Sequence, residues 1–377
     1  MSGTGTPARR VVVHVGLHKT GTTYLQSLMR HNRRRLARRA GVYVPPGGRK
    51  TVFASLDLIP WDSPLGRDVR VAGAWDRLAD EVNGCGLPTA VVSEERLDVA
   101  NQRQARRAVS SFADADVHVL VTVRDLARVA VSHWQEDVKN GATWTLEEFM
   151  GRLQDPTAAA TQPARGFWLH EDVTAVLRTW SAAVPEDHVH VVTVPQAGSP
   201  PELLTARFGS VVGFTPDDVP VPPPWDNENV GDAGTELLRR LNEHLDGAID
   251  RSTYKRAVSV PVVRRLASLP DRGLPALTDT QRAWAEDMSG RFAEEIRARG
   301  YRVVGDLADL RPSAGVVGDS ASAGRNRADD GALLQAALEA LSEVARRHGE
   351  QVARADTEAA ASRANLAGRL PRARTHL

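Results

Sequence analysis

Gly16 to Thr23 holds the densest chemistry in the chain: His18, Lys19, three threonines and two glycines, inside the stretch VVVHVGLHKTGTTYLQ from Val11 to Gln26. Val11 to Val15 reads as a strand, Gly16 to Gly21 as a tight loop, and Thr22 and Thr23 open a helical pattern. Such a junction aims backbone N–H groups and the positive end of a helix dipole, roughly half a charge, at one point, where an anion fits. A nucleotide-binding P-loop reads GxxxxGKS/T, with the lysine directly after the second glycine. Here that glycine is Gly21 and the lysine sits two positions before it. A cation at Lys19 lies beside the first phosphate and the bond leaving it, the geometry for breaking a bond at a short, two-anion donor. His18, next to it, could act as a base or bind oxygens of the transferred group.

Three further elements position groups of the same kind. The apolar run Thr89 to Ser93 ends in Glu94 and Glu95, and in a parallel sheet ligands sit outside the carboxyl ends of the strands. Val117 to Val123, the most apolar strand pattern, suits a central strand covered on both faces. It ends in Arg124, and Ser132 follows eight residues later in VRDLARVAVSHWQE. His188 to Val194 is another strand pattern, with His188 and His190 on one face and no third metal ligand at sensible spacing. His14, inside the first strand, reads as a satisfied core histidine, and His133 as a residue shaping the pocket.

The loop HVGLHKTGTTYLQ closely resembles the 5'-phosphosulfate loop of the sulfotransferases that use 3'-phosphoadenosine 5'-phosphosulfate (PAPS), whose core is usually KTGTT or KSGTT. Arg124 with Ser132 resembles the 3'-phosphate motif of the same family. The resemblance runs over residues 10 to about 310 and implies a bacterial-type PAPS-dependent enzyme. Its fold would be α/β, the three-layer, parallel-sheet, P-loop NTPase-like sulfotransferase fold. It further implies that Thr20, Gly21, Thr22 and Thr23 hold the 5'-phosphate, that Lys19 stabilises the leaving oxygen, and that Arg124 and Ser132 select the 3'-phosphate. The base would be a carboxylate at the end of the Thr89–Ser93 strand, where some family members use glutamate. Glu94 is preferred, with Glu95 pointing the other way on an extended backbone, and His18 is the remaining candidate. No metal is required. The acceptor would be a hydroxyl or amine of a carbohydrate, lipid or secondary metabolite. Arg251, Lys255 and Arg256 are candidates for late basic contacts to the 3'-phosphate.

The whole chain is compatible with this. With 377 residues, 42% hydrophobic content and 25% charge it can bury a large α/β core. The net charge of +1 and the lack of aromatic interleaving in the arginine-rich helix after the loop argue against nucleic acid. A single cysteine, Cys85, excludes an intrachain disulfide. No run approaches the ~18 apolar residues of a membrane span, so a cytoplasmic enzyme is expected.

The expected boundaries are a sulfotransferase domain over 1–310, a flexible linker over 311–330 and a helical tail over 331–377. In the tail Leu334, Leu338, Leu341, Ala345, His348 and Val352 alternate spacings of four and three, a short coiled-coil seam. That helix would dock on its own domain or on a second subunit. Gly47 to Arg70 reads as irregular. The proline-rich Pro195 to Asn229 reads as a covering segment, with Trp225, Asp226, Asn227 and Asn229 as acceptor contacts. Two rival readings remain open: a P-loop kinase using ATP and Mg²⁺, with Asp125 as a metal-holding aspartate, and a non-catalytic nucleotide-binding scaffold.

Overall fold

The valine-rich runs form one open, six-stranded, all-parallel sheet. Its strands are β1 (Arg9–His14), β2 (Val42–Tyr43), β3 (Thr89–Ser93), β4 (Ala115–Val123), β5 (Val189–Thr193) and β6 (Arg302–Val304), in the spatial order β2-β3-β1-β4-β5-β6. The computed structural model describes residues 9–61, 66–221, 229–268, 275–312 and 330–368.

Residues Val117 to Val123 are buried without interruption, so β4 is covered on both faces. On one face α1 (Thr22–Arg39) packs Leu25, Leu28, Met29 and Leu36 against Val12, Val91 and Leu120, joined by Phe208 and Val212 of a later helix. On the other face lie Val119 and Val121, by strand alternation, together with Trp180, whose indole N–H donates to the Leu97 carbonyl at 3.1 Å.

The chain runs from β1 to one flank (β2, β3) and then crosses to the other (β4, β5, β6). β1 is therefore the point where the direction of winding reverses, and the crevice outside its carboxyl end is where such sheets bind ligands.

Helices α2 (Arg49–Leu58) and α3 (Ala74–Asn83) separate β2 from β3, and α4 (Gln102–Ser110) separates β3 from β4. Helix α2 corrects the expectation that Gly47 to Arg70 is irregular. Phe53, Ala54, Leu56 and Leu58 are buried, but the helix starts at Gly48 with φ 85° and no side-chain cap, so the usual start signal is missing. After β4 come α5 (Leu126–Lys139), α6 (Leu146–Gln154), α7 (Ala164–Glu171) and α8 (Val173–Ser181). Asp172 separates α7 from α8, and its carboxylate caps α8 by accepting from Ala175 N–H at 3.0 Å. The proline-rich segment contains α9 (Glu202–Val212). Val221 is held on α1 through Asn32, which donates Nδ2–H to the Val221 carbonyl at 2.8 Å and accepts its N–H at 3.2 Å.

The chain divides into two compact units. The first comprises Met1–Trp134, Thr145–Trp225 and Ala276–Gly324, and contains the sheet and α13 (Asp279–Arg299). The second comprises Gln135–Trp144, Asp226–Pro275 and Arg325–Leu377. The units do not follow the expected boundary at residue 310. The second unit's α10 (Gly231–Leu245), α11 (Arg251–Tyr254) and α12 (Val260–Ala267) belong with the tail helix α14 (Asp330–Gly368). There Leu333 and Ala336 are buried, and Arg265 bonds Glu339 at 2.5 Å. The tail therefore docks on its own chain through positions beside the expected seam, and Leu334, Leu338 and Leu341 stay exposed. Most of the expected linker, 313–329, lies outside the described residues, as do Trp225, Asp226 and Asn227. No described helix is long and apolar enough to cross a membrane.

Candidate active site

The carboxyl ends of β1, β3 and β4 bring together the loop, the paired glutamates and Arg124. The loop begins as an extension of the sheet: Leu17 N–H donates to the Thr122 carbonyl at 3.1 Å and Thr122 N–H to the Gly16 carbonyl at 2.7 Å. It then turns through left-handed backbone at Lys19 (φ 59°) and Gly21 (φ 86°). For glycine that is free; for lysine it costs roughly 1–2 kcal/mol. The Lys19 carbonyl is held there by the Arg124 guanidinium, which donates Nη1–H at 3.0 Å. Helix α1 starts directly after Gly21 with no side-chain hydrogen bond capping its first turn.

The threonines divide their roles. Thr20 is fully buried, and its hydroxyl donates to the Leu17 carbonyl at 2.6 Å and meets the Thr122 hydroxyl at 2.5 Å, bracing the loop from behind. Thr22 donates its hydroxyl to Glu95 Oε2 at 2.5 Å, and Thr23 is exposed. Of the four residues expected to hold the 5'-phosphate, Thr20 and Thr22 therefore have their hydroxyls committed within the protein. His14 is a satisfied core residue. Its Nδ1 lies 2.7 Å from Ser93 Oγ, and burial holds its pKa at about 3.

The two glutamates part company at the end of β3. Glu94 is buried, and that burial, reinforced by repulsion from Glu95, pushes its pKa up to about 7. Its carboxyl lies near Thr51 of α2, and no hydrogen bond joins it to the loop's side chains among the described residues. Glu95 opens a 3-10 turn (Glu95–Val99) and is the one that faces the loop, with Oε2 on Thr22 and Oε1 3.7 Å from His18 Nε2. The expectation that Glu95 points away from the loop is not met: the turn after Glu94 swings Glu95 round to it.

Sequence reasoning missed three residues next to them. Asp98, buried in the same turn, accepts from His18 Nδ1 at 2.6 Å and from His170 Nδ1 at 3.0 Å, both on one oxygen, while its Oδ1 has no partner. Burial alone would depress His18, but the hydrogen bond to Asp98 and the nearby carboxylates raise its pKa to about 9. Its protonated form is the resting one at neutral pH, so His18 is a cation of the loop rather than a base. Glu171 is fully buried at the end of α7, 3.3 Å from His133 Nδ1. Burial lifts its pKa to about 8, with His18 and Lys19 pulling the other way. The pattern Glu-Glu-x-x-Asp after a buried strand was a usable signal for Asp98; nothing in the local sequence marked His170 or Glu171.

Arg124 keeps a buried Nε with no partner, and burial lowers its pKa to about 10. Ser132 is half-buried on α5. Asp125 is closed off, since Arg128 donates to its carboxylate from both Nε and the backbone. Arg251, Lys255 and Arg256 lie in the second unit, where Asn229 also has a local role, accepting from Gly231 N–H at 2.9 Å ahead of α10.

These ionisations tie stability to pH. The raised pKa of His18 stabilises the fold fully below its ordinary value of about 6.5, and that contribution is lost as pH rises through about 9. Glu94 and Glu171 act in the same direction. The fold favours their neutral forms, so stability falls as pH climbs from the ordinary carboxyl value through about 7 and about 8. His14 and His190, held at about 3 and about 4, oppose this only below about pH 6.5. The melting temperature is therefore expected to fall between pH 6.5 and 9. In a fluorimetric melt series Glu171→Gln should flatten that slope; an unchanged slope would remove Glu171 from the account.

Searches against family models, curated proteins and solved structures found no match to this chain.

Proposed function

We propose that the protein transfers a sulfuryl group from PAPS to a hydroxyl or amine acceptor, on a sheet of the three-layer sulfotransferase kind. The observation that carries this reading is the convergence at the winding reversal. A strand-loop-helix anion cradle with an internal lysine lies beside a carboxylate from the neighbouring strand on one side and an arginine from the other. Arg124's unpartnered buried Nε and the uncapped first turn of α1 are donors of the kind a phosphorylated nucleotide satisfies.

Sulfuryl transfer, like phosphoryl transfer, asks the protein for in-line positioning and charge stabilisation of a loose transition state. The backbone N–H groups of Gly21, Thr22 and Thr23 hold the 5'-phosphate from the helix start, and Lys19 with protonated His18 faces the charge that develops there. Glu95 accepts the proton of the acceptor O–H or N–H as that atom bonds to sulfur. The bond from sulfur to the phosphate oxygen breaks, its electron pair leaves on 3'-phosphoadenosine 5'-phosphate (PAP), and the second product is the sulfated acceptor. Arg124 and Ser132 read the 3'-phosphate. No step calls for a metal.

The kinase reading loses its metal-holding aspartate, because Asp125 is occupied by Arg128. Calorimetry separates the two. A sulfotransferase should bind PAP in the presence of EDTA, and Arg124→Ala should weaken that binding about 10- to 100-fold, the worth of a charge-assisted hydrogen bond. Binding of ATP only with Mg²⁺, and none of PAP, would overturn the proposal.

A further inference from the structure

At the other end of the strands lies a second cluster, built from alternate residues of two neighbouring strands. Asp116 and His118 are two apart on β4; His188, just before β5, and His190, on it, are two apart as well. Alternation puts each pair on one face. The register, with Val119 opposite Val189 and Leu120 opposite His190, sets His118 beside His188. Their rings stack with centroids 4.3 Å apart. The third ligand that the sequence spacing of His188 and His190 did not offer is supplied by the adjacent strand.

We propose that Asp116, His118 and His188 form a binding site for a first-row transition metal ion, zinc being the chemically simplest occupant. Asp116 Oδ2 lies 3.0 Å from His118 Nε2 and Asp116 Oδ1 lies 3.3 Å from His188 Nδ1. Two ligands bound tetrahedrally at about 2.0–2.2 Å to one zinc are themselves roughly 3.3–3.6 Å apart, so the Asp116–His188 pair is at ligand spacing and the Asp116–His118 pair opens by a few tenths of an ångström on binding. The three donor atoms all fall within 4.8 Å of one another. His190 completes the arrangement from behind: its Nε2 is 2.9 Å from His118 Nδ1. When His118 presents Nε2 to a metal, its Nδ1 carries the proton and donates it to His190, the orienting bond typical of metal-bound imidazole.

His188 Nδ1 also lies 3.1 Å from the Val117 carbonyl, to which it donates when protonated there. Ligation moves that proton to Nε2, on a ring that is partly exposed.

The neighbours on either side set the selectivity. Arg10 of β1 stands opposite Asp116, and Arg302 of β6 opposite His190. These cations disfavour an ion held by charge alone. The site should therefore take zinc, nickel or copper, which gain from nitrogen donors, and not Mg²⁺ or Ca²⁺. Because β4 carries Arg124 beyond its opposite end, an ion here ties β4 to β5 at their start and does not enter the anion loop.

The test uses the full-length protein, stripped with EDTA and dialysed, then titrated with Zn²⁺, Co²⁺ and Mg²⁺. The expected result is one tight equivalent of Zn²⁺, a visible Co²⁺ spectrum, no response to Mg²⁺ and a melting temperature raised by several degrees at saturating zinc. His188→Ala, which touches a partly exposed ring, should weaken zinc binding at least tenfold, and His190→Ala should do so about 10- to 100-fold through orientation of His118. Undiminished stoichiometric binding in His188→Ala and in the His118→Ala, His188→Ala double variant would overturn the proposal, whether the ion then resides at His18, Asp98 and His170 or elsewhere. So would zinc binding to the wild type no tighter than to the double variant. PAP binding by His188→Ala, measured alongside, reports that the variant is folded.

Discussion

Lys19→Ala is expected to cut sulfuryl transfer roughly 10²- to 10³-fold, the usual cost of removing one preorganised group from a developing negative charge. Affinity for PAP should fall much less. The reason lies in the division of labour within the loop. The backbone at Lys19 is held by Arg124 through the Lys19 carbonyl, a bond that does not involve the side chain, and Thr20 braces the loop through Leu17 and Thr122. Alanine at position 19 inherits the left-handed conformation, so some strain remains and a modest loss of stability will accompany the loss of rate. Single-turnover measurements with labelled PAPS, set beside PAP calorimetry, distinguish the effects. Equal losses in binding and turnover would reduce Lys19 to a binding group, and an unchanged rate would end its catalytic assignment. A non-catalytic scaffold makes the opposite forecast, with PAP bound, no donor turnover on any acceptor and biological activity untouched by the change.

Glu95→Gln should lower turnover by about 10²- to 10⁴-fold, the range for loss of a general base, while PAP affinity stays close to wild type. Glutamine keeps the shape and can still accept the Thr22 hydroxyl, so the change removes the proton acceptor without dismantling the contact at the loop. Glu94→Gln is the companion measurement. That residue is buried against Thr51 and should move the pH dependence of stability more than the rate. If Glu94→Gln abolishes turnover and Glu95→Gln does not, the original preference for Glu94 stands. If neither variant loses rate, the carboxylate base is wrong, and His18, despite its elevated pKa, becomes the group to test.

The strands most exposed to solvent competition were the hardest to see, and the most buried were plain. Val117 to Val123 and Thr89 to Ser93 announced themselves because a strand covered on both faces must be apolar at every position. Arg302–Val304 at the sheet edge carries no such demand and passed unnoticed. Helix α2 escaped because glycine replaced the expected cap. The division into units was illegible for a different reason. Helices α10 to α12 have ordinary amphipathic patterns, and such patterns say that a face is buried without saying against what.

By itself the sequence determined the strand-loop-helix junction at Gly16 to Thr23, the α/β class, and the placing of Lys19, Glu94, Glu95 and Arg124 at strand ends. All of these follow from local periodicity, turn chemistry and the need to bury valines. Tertiary structure alone decided that Glu95 and not Glu94 meets the loop, that Asp98 joins His18 to His170, that Arg124 holds the Lys19 carbonyl, and that Asp116 and His118 stand beside His188 and His190. Each of those depends on strand register or on the direction of a single turn. Such long-range pairings, 72 residues apart for His118 and His190 and 105 for Lys19 and Arg124, leave no periodic trace in either partner's own segment.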